Sequence, residues 1–371
     1  MKRSMKPIRA VLPALLICLL CSQTLASTFS ETYATYQGAM QSKDWPLALS
    51  SAKQAVEEGI RSFDPGGENV ANLRLNYARE LLRDGQNELA ANQLKLCLKA
   101  KVASHGQASP ALIDVILELA RSMIQTDVKQ AKKYYKRVLK LVSAEGNDLL
   151  EAKIKLDAGL KLSKVGENKA AKKYLIDAQA FYSLRFGNSD LRAGMAALNL
   201  GQIQFSNKDY KQARLTLNSA LEAFTASDPT AKKFNLAVRM LLVQILETLK
   251  MRDEATGHVI ALAINEAING SAEPTILFKG SFYSPAGIQR NSNGIERMGG
   301  GLSRVTLVHD VDEYGFVVNA SIVSSPSRAM SSAAIKSAGS RRYSPRIEDG
   351  EPVMTRGLEY HYWVNSTVEI F

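Results

Sequence analysis

The chain has 371 residues, 46% hydrophobic and 22% charged, with a formal net charge of +11. That composition excludes a disordered or collagen-like polymer and is enough for two or three folded domains. The basic excess permits an acidic partner without naming one.

The first residues stand apart. Lys2, Arg3, Lys6 and Arg9 form a basic head, Ala10 to Cys21 is an apolar run, and Gln23-Thr24-Leu25-Ala26 ends on a small residue. This is the layout of a secretory signal over residues 1–26. The apolar run is about 12 residues, against about 20 for a bilayer-spanning helix, so an uncleaved anchor is the lesser alternative. A lipoprotein site at Cys21 is disfavoured by Leu20, where a small residue is wanted. All four cations of the head belong to the leader, so the remainder carries 43 Lys and Arg against 36 Asp and Glu, a net of +7. Cys18 and Cys21 also fall in the leader. Cys97 is left alone on an apolar helical face, which predicts a buried small hydrophobe rather than a reactive thiol.

From residue 28 to 268 alanine recurs every 40 to 42 residues, at Ala48, Ala90, Ala131, Ala171, Ala213 and Ala255. Four residues on stand Ala52, Leu94, Tyr135, Leu175, Leu217 and Val259; seven on stand Ala55, Cys97, Val138, Ala178, Ala220 and Leu262. Spacings of four and seven share one helical face. Twelve residues before each alanine lie Tyr36, Ala78, Leu119, Gly159, Gly201 and Val243, mostly small or apolar. Breakers separate the two helices of a unit at Lys43-Asp44, Gly85-Gln86, Thr126-Asp127, Gly166-Glu167 and Lys208-Asp209. The unit is a helical hairpin, and about six follow one another. "LGQIQFSNKDYKQARLTLNSA", Leu200 to Ala220, resembles the tetratricopeptide (TPR) repeat, as does "GLKLSKVGENKAAKKYLIDA", Gly159 to Ala178. The usual period is about 34 residues, and the longer step here resembles the variant in kinesin light chains. A HEAT-type array also suits the step, but the turn-to-alanine signature favours the TPR reading. Such arrays bind peptides or helices of other proteins. The lysines from Lys129 to Lys173 are read as a solvated helix face, with attraction of an acidic partner as the alternative.

After Gly270 the composition turns to Gly, Ser, Pro and Asn, and residues 269–300 read as a linker. From Arg304 the period becomes two. "RVTLVHDV" puts Val305, Leu307, His309 and Val311 on one side, "DEYG" makes a turn, and in "FVVNASIV" Val317 and Val323 share a side. "SSPSRAMSSAAIKSAG" predicts a helix whose Met330, Ala334, Ile335 and Ala338 face this hairpin. The chain turns again at "EDGEP". "LEYHYWV" then predicts a closing strand with Leu358, Tyr360, Tyr362 and Val364 on the core face and Glu359, His361 and Trp363 on the other.

These pieces, in order, resemble the C-terminal domain of TonB-family proteins: "RVTLVHDVDEYGFVVNASIVSS", "AAIKSA", "RRYSP", "DGEPVMTRG" and "YHYWVNSTVEIF", within Gly301 to Phe371. Arg341 stands where that family usually has tryptophan, and the family's opening Tyr-Pro pair, anchor helix and Pro-rich spacer are not matched. The expected fold is therefore mainly α, a TPR-like α-solenoid followed by a small α+β domain of order β-β-α-β at 301–371.

The resemblance implies a periplasmic protein–protein interaction adaptor. Its array would hold one partner, and its last strand, Leu358 to Val364, would accept an extended segment of another by strand addition. The implied partners are outer-membrane TonB-dependent receptors or inner-membrane motor components. Nucleic acid is not expected, and membrane contact is indirect unless the leader is retained. The alternative is an envelope scaffold or assembly factor unrelated to transport. Enzyme chemistry is not expected, nor is a cofactor or metal. His105, His258, His309 and His361 lack ligand spacing, and no Gly-x-Ser-x-Gly or phosphate loop occurs.

Overall fold

The structure, a computed structural model, describes residues 29–224, 229–270, 273–281, 283 and 302–365. The leader and most of the stretch read as a linker lie outside the described residues. The chain divides into two compact units, Met1–Ala178 and Gln179–Phe371.

The first unit is helical. It holds α1 (29–42), α2 (Trp45–Ser62), α3 (Glu68–Arg83), α4 (Asn87–His105), α5 (Ile113–Ser122), α6 (Val128–Ala144), α7 (Asp148–Lys164) and the start of α8 (Asn168–Phe186). The second unit continues with α9 (Leu191–Ser206), α10 (Tyr210–Ala223), α11 (Pro229–Thr248) and α12 (Arg252–Ile268). Among the described residues these pair into six hairpins. The protein is mainly helical, with a small C-terminal sheet.

The recurring alanines are the packing frame. All six are fully buried, as are Leu94, Tyr135, Leu175, Leu217 and Val259 four residues on. Gly159 and Gly201 show why the facing position stays small. A Cβ on Gly159 would lie 2.7 Å from Leu175 Cδ2, and one on Gly201 would lie 2.6 Å from Leu217 Cδ2. Cys97 is buried as expected, and burial pushes its thiol up to about 11. The turns share one device. Lys43, Gly85, Gly166, Lys208 and Lys250 take positive φ, and the next residue's N–H returns to the carbonyl five residues before it, for example Asp209 to Gln204 at 2.9 Å. The Thr126-Asp127 turn is different. Asp127 N–H bonds Met123 O at 2.8 Å, and the Asp127 side chain caps Gln130 N–H at 2.9 Å.

Beyond α12 come β1 (Ile276–Phe278), β2 (Leu302–Val311), β3 (Val317–Ser324), α13 (Arg328–Gly339), β4 (Arg342–Tyr343), β5 (Arg346–Glu348), β6 (Glu351–Val353) and β7 (Thr355–Asn365). An antiparallel three-stranded sheet has the order β3-β2-β7. Val305, Leu307, Met330, Ala334, Ala338 and Tyr362 form its core against α13, flanked by Val317, Ile322 and Tyr360. At the first turn, Asp312 Oδ1 accepts from Tyr314 N–H at 3.0 Å and Phe316 N–H at 2.7 Å.

Three expectations need correction. Val323 does not share the side of Val317: it is 63% exposed, and Ile322 packs inward instead. Asn319 takes φ 51° in the strand and the pairing register slips there, so the alternation changes phase. Ile335 is 39% exposed; Ala333 and Ser337 take the inner side of α13 with Met330, Ala334 and Ala338. Part of the stretch read as a linker is ordered. Ile276–Phe278 pairs with Arg342–Tyr343, because this short apolar run gains a strand partner and buries Leu277 against α11 and α12. A further hairpin, β5–β6, turns through Asp349 and Gly350 at positive φ.

Candidate functional site: the outer strand of the C-terminal sheet

The closing strand β7 pairs with β2 along one border, from Leu302 opposite Asn365 to His309 opposite Leu358. Among the described residues no strand occupies its other border, since β7 is last in the order β3-β2-β7. Alternate residues then point to opposite faces. Tyr362 is buried in the core, with its hydroxyl 2.8 Å from Ser337 Oγ, and Tyr360 and Leu358 are half-buried. Glu359, His361 and Trp363 lie on the outer face, Trp363 55% exposed. His361 Nδ1 is 3.2 Å from Thr306 Oγ1, and its Nε2 is 3.8 Å from Glu359 Oε1. Val364 lies in the strand opposite Ser303, but its side chain is outside the described residues.

The start of β7 is fixed by a break. Gly357 takes φ 72°, the register shifts between His309 and Val311, and Gly357 N–H donates to Asp310 Oδ1 at 2.9 Å. Asn319 also donates to Asp310, at 2.8 Å. Those two bonds hold the Asp310 carboxyl below its usual range. The border that β7 offers thus belongs to a strand in unbroken register from Leu358 onward, and it ends at the break around Gly357.

Arg341 lays its guanidinium 3.7 Å from the centroid of the Tyr360 ring. A flat cation on an aromatic face makes a stacked contact under β7. Beside it His309 is buried, its ring centroid 5.5 Å from that of Tyr343. Burial, then Arg341, lowers the His309 pKa, so the ring is held neutral.

Sequence reasoning missed the role of Arg342. Its side chain is 0% exposed, and it forms an ion pair at 2.8 Å with Glu247 of α11, itself 2% exposed. Arg342 also donates to Thr256 Oγ1 at 2.6 Å and Tyr314 O at 2.9 Å, and its guanidinium lies 3.6 Å from the Phe316 ring centroid. Two residues on, Ser344 Oγ donates to Glu266 Oε2 at 2.6 Å. The segment "RRYSP" therefore seats the sheet on α11 and α12 and leaves β7 on the outside. Its one signal in the sequence is a pair of adjacent arginines after a helix stop.

No group of His, Cys, Asp or Glu among the described residues could hold a metal ion, and none of the described helices is long and apolar enough to cross a membrane.

No protein-family model matches the chain, and no curated protein matches it. Solved structures similar to it include BtubC (BKLC) from P. vanneervenii, 19% identical with a TM-score of 0.49, over 67% of this chain and 97% of that one. A putative kinesin light chain of Podosopora anserina with nearly identical TPR-like repeats is 14% identical with a TM-score of 0.46, over 52% and 93%. Pseudomonas aeruginosa pilF is 16% identical with a TM-score of 0.39, over 67% and 95%. At these values they identify neither a family nor a function.

Proposed function

We propose that the chain is an exported, periplasmic protein–protein adaptor of the TonB family, with a TPR-like array for one envelope protein and β7 as the acceptor for an extended segment of another. In this reading the second partner is a TonB-dependent receptor or a motor component, and the adaptor supports transport across the outer membrane. The observation that carries it is the outer position of β7. An edge strand presents a row of backbone N–H and C=O groups that pairs with an incoming strand. Trp363 and His361 on the exposed face would cover the side chains of that segment.

Affinity capture with the full chain as bait, followed by amide exchange, tests the proposal. Recovery of TonB-dependent receptors or the inner-membrane motor, with slower exchange in Leu358–Val364 when the captured segment is added, supports it. Trp363→Ala is expected to weaken capture about tenfold or more, as for an interface aromatic. It should leave the melting temperature unchanged, because the ring is exposed. Slower exchange elsewhere with β7 unaltered would overturn it. Sequencing the N-terminus of protein from soluble and membrane fractions tests the export step.

A second reading is favoured by the buried Arg342–Glu247 pair. A sheet seated on α11 and α12 is a fixed docking platform rather than a swinging arm, which suits a scaffold or assembly factor of the envelope. Capture of cell-wall or secretion components alone would select it.

A further inference from the structure

The outward faces of α6 and α8 carry lysines that packing does not explain. On α6, Lys129, Lys133, Lys136 and Lys140 are exposed and lie in one stripe, opposite the buried Ala131, Tyr135, Val138 and Val142. On α8, Lys169, Lys172 and Lys173 are exposed opposite Ala171 and Leu175. Lys132 bonds Glu167 at 2.8 Å, which brings the first turn of α8 beside that of α6.

None of these seven lysines forms an ion pair with a described residue. Nearby acids are engaged elsewhere: Glu167 by Lys132, Glu151 and Asp177 by Lys155, and Asp157 by Arg121. Helix α6 itself contains six cations and no acid. Lys129 and Lys169 stand in the first turns of their helices, where the helix dipole disfavours a cation. Stability of the helices therefore does not account for the pattern.

The repeat frame does not account for it either. Aligned on the buried alanine, Lys129 and Lys133 recur 40 residues on as Lys169 and Lys173. The residues matching Lys129 in the first, second, fifth and sixth hairpins are Pro46, Glu88, Lys211 and Asp253, and those matching Lys133 are Ser50, Asn92, Leu215 and Gly257. The hairpin fold tolerates any of these, so the pair of lysines, one on each side of the buried alanine, is particular to two consecutive hairpins.

We infer that the α6–α8 lysine face binds an anionic phospholipid bilayer directly. The exposed cations of this face are all lysine, a hydrated point charge, rather than arginine with its fork for one carboxylate or phosphate; Arg137 of α6 is part-buried and donates to Gln107 instead. Among the lysines no exposed aromatic ring offers a base-stacking platform or a protein hot spot, Tyr134 and Tyr174 being partly buried. A diffuse array of point charges matches a diffuse sheet of negative headgroups. Ile176, 44% exposed one turn beyond Lys172, adds an apolar contact at the same face. This contact does not depend on β7 or on the identity of any protein partner.

The test is co-sedimentation of the full chain with vesicles of phosphatidylcholine alone or with about 30% phosphatidylglycerol, at low and high NaCl. The apolar and basic leader gives every variant the same background. The expected result is binding to the anionic vesicles that falls steeply with salt, and that drops about fivefold for each lysine removed in Lys133→Gln, Lys136→Gln and Lys173→Gln. Lys53→Gln, on α2, should bind as the parent does. Equal circular dichroism melts show that the variants are folded. Unaltered binding in the triple variant overturns the inference. Tighter binding of single-stranded DNA or polyglutamate than of anionic vesicles, through the same lysines, overturns it in favour of a different acidic partner.

Discussion

Arg342 is the largest fully buried side chain among the described residues, and the carboxylate that balances it, Glu247, is shared with Arg252. Removing one partner of a buried pair strands the other, which costs about 3–5 kcal/mol, whereas replacing both by apolar residues is often close to neutral. Glu247→Leu strands the fully buried Arg342 and is therefore expected to lower the urea midpoint strongly, Arg342→Met to lower it less because Glu247 keeps Arg252, and the double variant to recover most of the Glu247→Leu loss. Equal losses in Glu247→Leu and the double variant would show that the two charges are not coupled. Two histidines of the same unit set a pH response. Burial and Arg239 lower His258 to about 4, and burial and Arg341 lower His309 in the same direction. The unfolded chain takes up protons near pH 6.5 that the folded one refuses, so stability is level above about 6.5 and declines as pH falls toward 4. Asp190 and Asp310, held low by their own hydrogen bonds, contribute stability that is lost only in the more acidic carboxylate range. His309→Phe is expected to flatten the decline between about pH 6.5 and 5 in urea melts; an unchanged slope would place the titration elsewhere.

At the scale of elements, two helical glycines separate close packing from propensity. Around Gly257, within α12, nothing lies within 4 Å of the point where an alanine methyl would sit, so Gly257→Ala gains helix propensity of about 0.5–1 kcal/mol. Gly201 in α9 gains the same propensity, but its methyl would sit 2.6 Å from both Cγ and Cδ2 of the fully buried Leu217. Overpacking of that kind costs about 1–3 kcal/mol, so Gly201→Ala is expected to lower the melting temperature while Gly257→Ala raises it. The hairpins were legible in the sequence because their packing frame is periodic. A small residue must recur where two helices approach, and Ala131, Ala171 and Ala213 mark it. The alternation of β2 was legible for the same reason. What was not legible depends on single backbone angles or on distant partners. Asn319 at positive φ changes the phase of β3 and turns Val323 outward, which an alternation count cannot detect. Arg342 becomes a core residue only because Glu247 lies opposite it, 95 residues earlier. The faces of β7 could be read; what seats its sheet on α11 and α12 could not.

At the scale of the molecule, the chain does not divide where its composition changes. The second compact unit, Gln179–Phe371, contains the last helical hairpins together with the sheet. The contacts explain this grouping. β4 carries Arg342 to Glu247 of α11 and Thr256 of α12, and Ser344 reaches Glu266 of α12, while β1 buries Leu277 among Val243, Val259 and Leu262. A repeat array is stabilised by its neighbours, and its terminal repeat needs a cover. Here the sheet covers the last hairpin, so α11, α12 and the sheet are expected to open together. Native-state amide exchange in low urea reads this directly. In the parent, amides in α11, α12, β2 and β7 should share one opening free energy. Arg342→Met should accelerate exchange in α11 and α12 as well as in the sheet, because it removes the bonds to Glu247, Thr256 and Tyr314 at their common boundary. Faster exchange confined to β2, β3 and β7 would mean that the sheet is a separate foldon tethered to the array, and the scaffold reading would lose the observation that favours it.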